Sequence, residues 1–239
     1  MFLHGLGGGR GAWEPQLAAL ASSFRCLAWD LPGYGDATPI EPLTFRGIAE
    51  RAVGLLDAAE VDRADLVGLS FGGMHALHTA IHFPDRVRRL VLADTSPAFG
   101  LDGTTRDDWV AARTAPLDAG ATPGDMAAAV LDAITATPLT DPIRAELTDC
   151  FARITPDAFR AAVACLPDHD VRDQLAGIAH RTLVIVGGLD RETPPSYSEA
   201  LVAGLPNATL HVLDGVGHLS PSEAPERFNA LVAEFLTSP

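Results

Sequence analysis

The pentapeptide Gly68-Leu69-Ser70-Phe71-Gly72 has the pattern G-x-S-x-G, and it limits the possible folds of this chain more than any other feature. The apolar residues before it predict a buried strand, and the apolar spacing from Gly73 to Phe83 predicts a helix. A serine at a sharp turn from strand to helix has a strained backbone that pushes its hydroxyl out of the sheet. The flanking glycines leave room for the neighbouring strand and helix. The sequence therefore predicts that Ser70 is a nucleophile.

Strand patterns alternate with helical patterns along most of the chain, which is typical of a parallel sheet covered by helices on both faces. A chain of 239 residues is long enough for one such domain with an insertion. The predicted strands are Arg25 to Asp30, Ala64 to Gly68, Arg89 to Thr95, Arg181 to Gly187 and Ala208 to Leu213.

This alternation stops between Pro97 and Ala179, where the sequence contains no convincing strand pattern. Three helix starts in this stretch share a capping side chain followed by proline, at Thr122-Pro123, Asp141-Pro142 and Thr155-Pro156. Apolar residues at helical spacing follow each of them. We therefore predict a core domain formed by residues 1–96 and 180–239, with a helical lid inserted over residues 97–179.

A serine hydroxyl is a weak nucleophile, so it needs a base to take its proton and an acid to orient that base. After G-x-S-x-G, these partners are expected in the order acid and then histidine. Asp190 directly follows the fourth predicted strand, at the carboxyl end where α/β folds place their chemistry. Asp94 and Asp214 remain alternatives for the acid. His218 follows the last predicted strand in a glycine-containing loop and is the candidate base.

Two backbone N–H groups must also point to where negative charge develops on the substrate. The amide of Phe71, directly after the nucleophile, is the first candidate. The second is the amide of Leu6, in the glycine-rich segment 4–9. This segment lacks both the G-K-[ST] ending and the G-x-G-x-x-G spacing of nucleotide-binding loops, which makes nucleotide binding an unfavoured interpretation.

Metal and cofactor signals are weak in this sequence. His75, His78 and His82 share one face of the predicted helix, but no acidic residue or cysteine accompanies them, so packing inside the protein is the favoured interpretation. Cys26 and the other two cysteines are scattered and predict neither a metal site nor a disulfide framework. We expect no cofactor and no metal.

The formal charge of −14 disfavours nucleic acid and anionic membrane surfaces as partners. No apolar run reaches the length of a membrane span, and no signal peptide precedes the first motif. We expect a cytoplasmic protein that acts on a small molecule and binds neither nucleic acid nor membrane.

With these residues in place, the chain resembles the α/β-hydrolase superfamily. Segments 170–175 and Thr193-Pro194-Pro195 are similar to those of 3-oxoadipate enol-lactonases and related small esterases. Further matching segments are Asp30-Leu31-Pro32-Gly33-Tyr34-Gly35, Gly72-Gly73, Pro84-Asp85-Arg86-Val87 and Gly217-His218 followed by Pro225-Glu226. The resemblance implies an eight-stranded, mostly parallel sheet with a lid after the sixth strand.

Members of the superfamily usually have two strands before the His-Gly loop, whereas this chain begins at Met1-Phe2-Leu3, inside the third. We therefore expect that the first two strands are missing and that the natural protein is longer.

The resemblance and the residues together predict a serine hydrolase of small carboxylic esters or lactones. Ser70 would attack the carbonyl, His218 would transfer the proton, Asp190 would orient the imidazole, and the amides of Leu6 and Phe71 would bind the oxyanion. C–C bond hydrolases of ring-cleavage products and cofactor-free perhydrolases use the same three residues and remain alternatives. A non-hydrolytic ligand-binding protein is a remote alternative.

The sequence says less about the identity of the substrate than about the type of reaction. Trp109, Phe151 and Phe159 are candidates for the pocket wall, although ordinary packing is the favoured interpretation for each. A dianionic substrate such as an enol-lactone acid would require a nearby arginine. The available arginines, each expected by default at the solvated surface, are Arg10, Arg113, Arg153, Arg160, Arg172 and Arg191.

Overall fold

The computed structural model describes residues 1–238, and its central element is a parallel β-sheet. The strands lie side by side in chain order, and each neighbouring pair is parallel. They are β1 (Phe2–Leu3), β2 (Ala64–Leu69), β3 (Val87–Ala93), β4 (Arg181–Gly187) and β5 (Ala208–Leu213). Their apolar runs suit a sheet that is covered on both faces.

Helices connect the strands. The α-helices are α1 (Glu14–Leu20), α2 (Phe45–Ala58), α3 (Phe71–His82), α4 (Arg106–Asp118), α5 (Pro123–Ile134), α6 (Asp141–Ala152), α7 (Pro156–Cys165), α8 (Pro195–Gly204), α9 (Ser220–Glu223) and α10 (Pro225–Thr237). Short 3₁₀ helices span Arg10–Trp13, Pro84–Arg86, Leu166–Asp168 and Arg172–Gly177. No helix within residues 1–238 combines the length and the apolar character needed to cross a membrane.

Successive side chains along the strands enter two different hydrophobic cores, because side chains alternate between the faces of a sheet. On β3, Leu90 and Leu92 join the core that contains α2, α3 and α8, whereas Val91 and Ala93 join the core that contains α10. On β4, Val184 belongs to the first core. The sheet is therefore the middle layer between two helical layers, as the sequence predicted.

The stretch between β3 and β4 contains α4 to α7, and no strand of the sheet interrupts it in the described residues. The predicted start of α5 is confirmed: the Thr122 side chain accepts from the Asp125 amide, and the Asp125 carboxylate accepts from the Thr122 amide. Thr155 caps α7 as predicted. At α6 the cap is Thr140, and the predicted cap Asp141 is the first helical residue. We call residues 97–179 the inserted helical segment; its role as a separate lid domain stays a prediction.

One predicted strand is wrong. In place of a strand over Arg25 to Asp30, the described residues contain a single bridge between Phe2 and Ala28. The Phe2 amide donates to the Leu27 carbonyl at 2.7 Å and the Trp29 amide donates to the Phe2 carbonyl at 3.4 Å. The pairing ends with this bridge, and β1 itself has only two residues. The sheet therefore has five strands over residues 1–238. The five strands predicted above, together with the one expected at Met1-Phe2-Leu3, would have made six.

Candidate active site

Ser70 lies in the tight turn between β2 and α3, with φ +54° and ψ −118°. This turn requires glycine on both sides. A Cβ at Gly68 would lie 2.3 Å from the Gly72 carbonyl oxygen, and a Cβ at Gly72 would lie 2.0 Å from the Leu3 carbonyl oxygen. The backbone therefore holds the serine in the left-handed region of conformational space, where non-glycine residues are uncommon.

His218 follows β5 in a loop over residues 214–219, and its imidazole meets Ser70 although 148 positions separate them in the chain. The Nε2 atom lies 2.9 Å from the Ser70 Oγ. The Nδ1 atom lies 3.0 Å and 2.9 Å from the two carboxylate oxygens of Asp190. The three side chains thus form one continuous hydrogen-bonded chain, with a carboxylate at one end and a hydroxyl at the other.

The carboxylate of Asp190 is fully buried and is held by its own loop. One oxygen accepts from the amides of Glu192 and Thr193, at 2.9 Å and 3.0 Å. The other accepts from the Thr193 hydroxyl at 2.9 Å. These bonds leave the carboxylate facing the imidazole. The sequence analysis named Thr193 only for the family resemblance and did not predict its hydrogen bonds to Asp190, although an aspartate followed by turn residues with free amides is a recognisable pattern.

The other two candidate acids, Asp94 and Asp214, do not hydrogen-bond to the imidazole of His218. Asp94 is buried, and its carboxylate accepts from the amides of Gly187 and Ser220 at 2.9 Å and 3.0 Å. Burial, together with the negative charge of Asp190, raises the pKa of Asp94 to about 7. Asp214 is exposed. Of the three aspartates, Asp190 is the one that hydrogen-bonds to His218.

The Leu6 amide lies in a loop whose peptide orientation is fixed by hydrogen bonds. The Gly5 carbonyl accepts from the Gly8 amide at 3.0 Å and from His4 Nδ1 at 2.8 Å, while His4 Nε2 accepts from the Leu31 amide at 2.9 Å. Burial lowers the pKa of His4, which keeps the ring neutral and able to accept. In a trans peptide the N–H points opposite to the carbonyl, so fixing the Gly5 carbonyl also fixes the Leu6 N–H.

Leu6, Ser70 and His218 line one cavity of about 330 Å³. The Phe71 amide lies in the first turn of α3, where backbone N–H groups have no acceptor within the helix. The inserted helical segment supplies much of the cavity wall, including the three aromatic candidates Trp109, Phe151 and Phe159. The site thus combines a serine hydroxyl that lines the cavity, a loop rich in backbone N–H groups and an apolar cover.

Arg113 is the candidate arginine that lines this cavity. Its guanidinium carbon lies 3.4 Å from the centre of the Trp109 ring, and its Nη2 lies 3.1 Å from a carboxylate oxygen of Glu192. Glu192 also lines the cavity, so the charges of this pair balance there. Arginines that pair with aspartates elsewhere are Arg10, Arg153, Arg160 and Arg172.

Comparison with known proteins decides the family. The model of the alpha/beta hydrolase family matches residues 1–231. The chain belongs to the α/β-hydrolase family. Its predicted fold class and its resemblance to that superfamily are both confirmed.

Named enzymes are similar to this α/β-hydrolase along almost all of its length. 3-Oxoadipate enol-lactonase 1 of Acinetobacter baylyi is 28% identical over an alignment of 241 positions, which covers 100% of this chain and 88% of that enzyme. 2-Hydroxymuconate semialdehyde hydrolase of a Pseudomonas species is 34% identical over 247 residues, with 99% and 86% covered. The crystal structure of the enol-lactonase from Burkholderia xenovorans has a TM-score of 0.87 and 27% identity, with 99% and 90% covered.

The histidines considered for a metal site pack among aromatic rings in this α/β-hydrolase. His75 lies 4.1 Å from the Phe71 ring, centre to centre, and His78 stacks on Phe45 at 4.2 Å. His78 Nε2 also lies 3.2 Å from Nδ1 of His169. Over residues 1–238, no group of three or more histidine, cysteine, aspartate or glutamate side chains is arranged to hold a metal ion.

We expect these buried histidines to make folding stability depend on pH. Burial lowers the pKa of His75 well below its ordinary value, that of His78 to about 3 and that of His169 to about 4. The unfolded chain binds protons at these sites below a pH of about 6.5, whereas the folded chain does not until the pH is much lower. The contribution of these histidines to the free energy of unfolding should therefore fall as pH decreases from about 6.5 to about 4, by up to about 1.4 kcal/mol per pH unit for each histidine. The raised pKa of Asp94 acts in the opposite direction over this range, and it offsets about one of the three histidines.

Urea unfolding at a series of pH values would measure this slope. His75→Leu should make it shallower, because one titrating site is removed. The matched control is His211→Leu, at an exposed position on β5. Equal slopes for His75→Leu and the wild type would contradict the prediction.

Proposed function

We propose that this protein is a serine hydrolase of small carboxylic esters or lactones. The observation that carries the proposal is the 2.9 Å contact between His218 Nε2 and Ser70 Oγ, at the wall of a cavity, with Asp190 bound to the other ring nitrogen. Similarity to enol-lactonases over almost the whole chain supports the same reaction class. The ligand is a small molecule, because a cavity of about 330 Å³ has the size of a small-ligand site.

In the proposed reaction, His218 Nε2 takes the proton of Ser70 as the hydroxyl attacks the substrate carbonyl. Asp190 stabilises the imidazolium that forms. The amides of Leu6 and Phe71 donate hydrogen bonds to the oxyanion of the tetrahedral intermediate. The imidazolium then protonates the leaving alcohol. In the second half of the reaction, His218 takes a proton from water, the water oxygen attacks the acyl-enzyme, and the proton returns to the Ser70 oxygen as the acid is released.

Covalent trapping tests this proposal directly. A fluorophosphonate phosphonylates an activated serine, so we expect one equivalent to bind, peptide mapping to assign it to Ser70, and turnover of p-nitrophenyl acetate to stop in proportion to labelling. Labelling at another serine would contradict the assignment of the nucleophile. Absence of turnover across panels of esters, lactones and thioesters would contradict the hydrolase proposal and favour a ligand-binding protein of the same fold.

A C–C bond hydrolase is the second candidate, since 2-hydroxymuconate semialdehyde hydrolase shares 34% identity with this chain over 99% of its length. The same three side chains would then serve cleavage of a ring-cleavage product. The two candidates are separated by comparing kcat/KM for a ring-cleavage dienoate, followed by loss of its visible absorbance, with kcat/KM for small esters and lactones. A preference for the dienoate by more than about tenfold would favour this second function.

The activity should increase with pH across the neutral range. Burial disfavours the imidazolium, but the Asp190 carboxylate outweighs this effect and raises the pKa of His218 from 6.5 to about 9. The neutral ring is the form that accepts the serine proton, so kcat/KM should rise with pH and level off above a pH of about 9. Asp190→Asn should move this limb to lower pH, because the negative charge is lost. A wild-type limb at or below a pH of about 6.5, measured with p-nitrophenyl acetate and corrected for spontaneous hydrolysis, would contradict the prediction.

A further inference from the structure

Glu223, at the end of α9, has no part in the reaction steps above, yet its carboxylate binds both chain neighbours of the candidate base. One oxygen accepts from the amide of Gly217 at 3.0 Å. The other accepts from the amide of Leu219 at 3.0 Å. Because these residues lie on either side of His218, the carboxylate holds the backbone that carries the imidazole.

The same carboxylate also binds the residues that follow α5. The amides of Ala136 and Thr137 both donate to it at 2.8 Å. Two further hydrogen bonds cross this contact: the His218 amide donates to the Ile134 carbonyl at 2.9 Å, and the Thr137 hydroxyl donates to the Gly215 carbonyl at 2.8 Å. The histidine loop is therefore attached to the inserted helical segment as well as to the sheet.

The two backbones approach closely at Gly217. A Cβ at this position would lie 2.6 Å from the Ala136 nitrogen and 2.8 Å from the Ile134 oxygen. No side chain fits in such a contact, so small shifts of residues 134–137 would displace the histidine loop directly.

Asp94 provides a comparison, because it is the other carboxylate that binds backbone amides next to this loop. It joins Gly187, at the end of β4, to Ser220, at the start of α9. Its hydrogen bonds fix the sheet side of the loop. Those of Glu223 fix the residues beside the imidazole and the side facing the inserted helical segment.

We propose that Glu223 is a positioning residue, whose carboxylate holds the His218 loop against residues 134–137 so that the imidazole stays aligned with Ser70 and Asp190. Hydrogen bonds to an ionised carboxylate are about twice as strong as neutral ones. Reacting groups must be held to within about 0.5 Å for efficient catalysis. The inference rests on the proposed hydrolase function, and it adds that the inserted helical segment helps to set the position of the base.

Glu223→Gln tests this role. Glutamine has the same size, but its amide group is a donor that would face backbone donors, so part of the contact is lost. We expect kcat for p-nitrophenyl acetate to fall about 10- to 100-fold while KM changes less than about threefold. In the substrate-free protein, we expect the low-field proton resonance of His218 Nδ1–H, shared with Asp190, to shift or broaden.

The matched control is Glu226→Gln, an exposed glutamate in the first turn of α10, which should leave kcat and the resonance unchanged. If Glu223→Gln does not fold, Glu223→Asp replaces it, since this variant keeps the charge but is too short to reach the amides on both sides of the contact. Wild-type kcat or an unchanged resonance in the folded variant would overturn the proposal. Because the resonance needs no substrate, a wild type that hydrolyses no ester would contradict the proposed function and leave this test intact.

Discussion

Replacing Ser70 with alanine is expected to lower kcat for aryl ester hydrolysis by about 10⁴- to 10⁶-fold, because the group that we propose to form the acyl-enzyme is removed. Alanine retains a Cβ, so the turn at φ +54° and the packing of its flanking glycines are unchanged. The thermal midpoint and circular dichroism spectrum should therefore match those of the wild type. Activity is best measured as initial rates with p-nitrophenyl acetate, using protein that has been purified free of contaminating esterases.

Ser23→Ala is the matched control for this experiment, because Ser23 is exposed and lies outside the cavity. We expect its rate to equal that of the wild type. A folded Ser70→Ala variant that retains more than about a tenth of the wild-type rate would contradict the role proposed for this serine.

Gly72→Ala is expected to lower the free energy of unfolding by about 4 kcal/mol or more, or to prevent folding. Its Cβ would lie 2.0 Å from the Leu3 oxygen and 2.7 Å from the His4 oxygen. Both are backbone atoms, and β1 cannot retreat without losing its pairing between Phe2 and Val67. Side-chain rearrangement therefore cannot relieve the overlap. Chemical denaturation of the purified variant, or its yield of soluble protein, measures the effect.

The control is Gly54→Ala in the middle of α2, where an added Cβ has no neighbouring atom within 4 Å. Alanine favours the helix, so stability should increase by about 0.5 to 1 kcal/mol. If Gly72→Ala unfolds at the same midpoint concentration of denaturant as the wild type, the close approach of α3 to β1 does not restrict residue 72 to glycine, and the prediction is wrong.

The sequence predicted the layered fold and the meeting of Ser70, Asp190 and His218, because each of these residues follows a predicted strand. In a parallel sheet, the carboxyl ends of the strands lie at one edge, so residues far apart in the chain come together there. Four of the predicted strands are confirmed within one or two residues. The prediction of a strand over Arg25 to Asp30 was wrong because an apolar run does not indicate how long the neighbouring strand will be. The neighbour here, β1, has only two residues.

The supporting contacts could not be predicted in the same way. Glu223 binds four backbone amides, and every residue except proline has such an amide, so the pattern of side chains does not reveal the contact. The neutral form of His4 depends on burial and on the Leu31 amide, which the chain brings together only after folding. Such features follow from tertiary contacts rather than from local sequence patterns.

The large separation of Ser70 and His218 along the polypeptide has a consequence for biosynthesis. Ser70 and His218 are 148 positions apart, and β4 and the inserted helical segment are translated between them. The ribosome therefore adds Ser70, the proposed nucleophile, long before His218, the proposed base. With the roles proposed for these residues, the site is complete only after His218 has been added and β5 has docked at the edge of the sheet, so Ser70 waits through the synthesis of 148 residues for its proton acceptor.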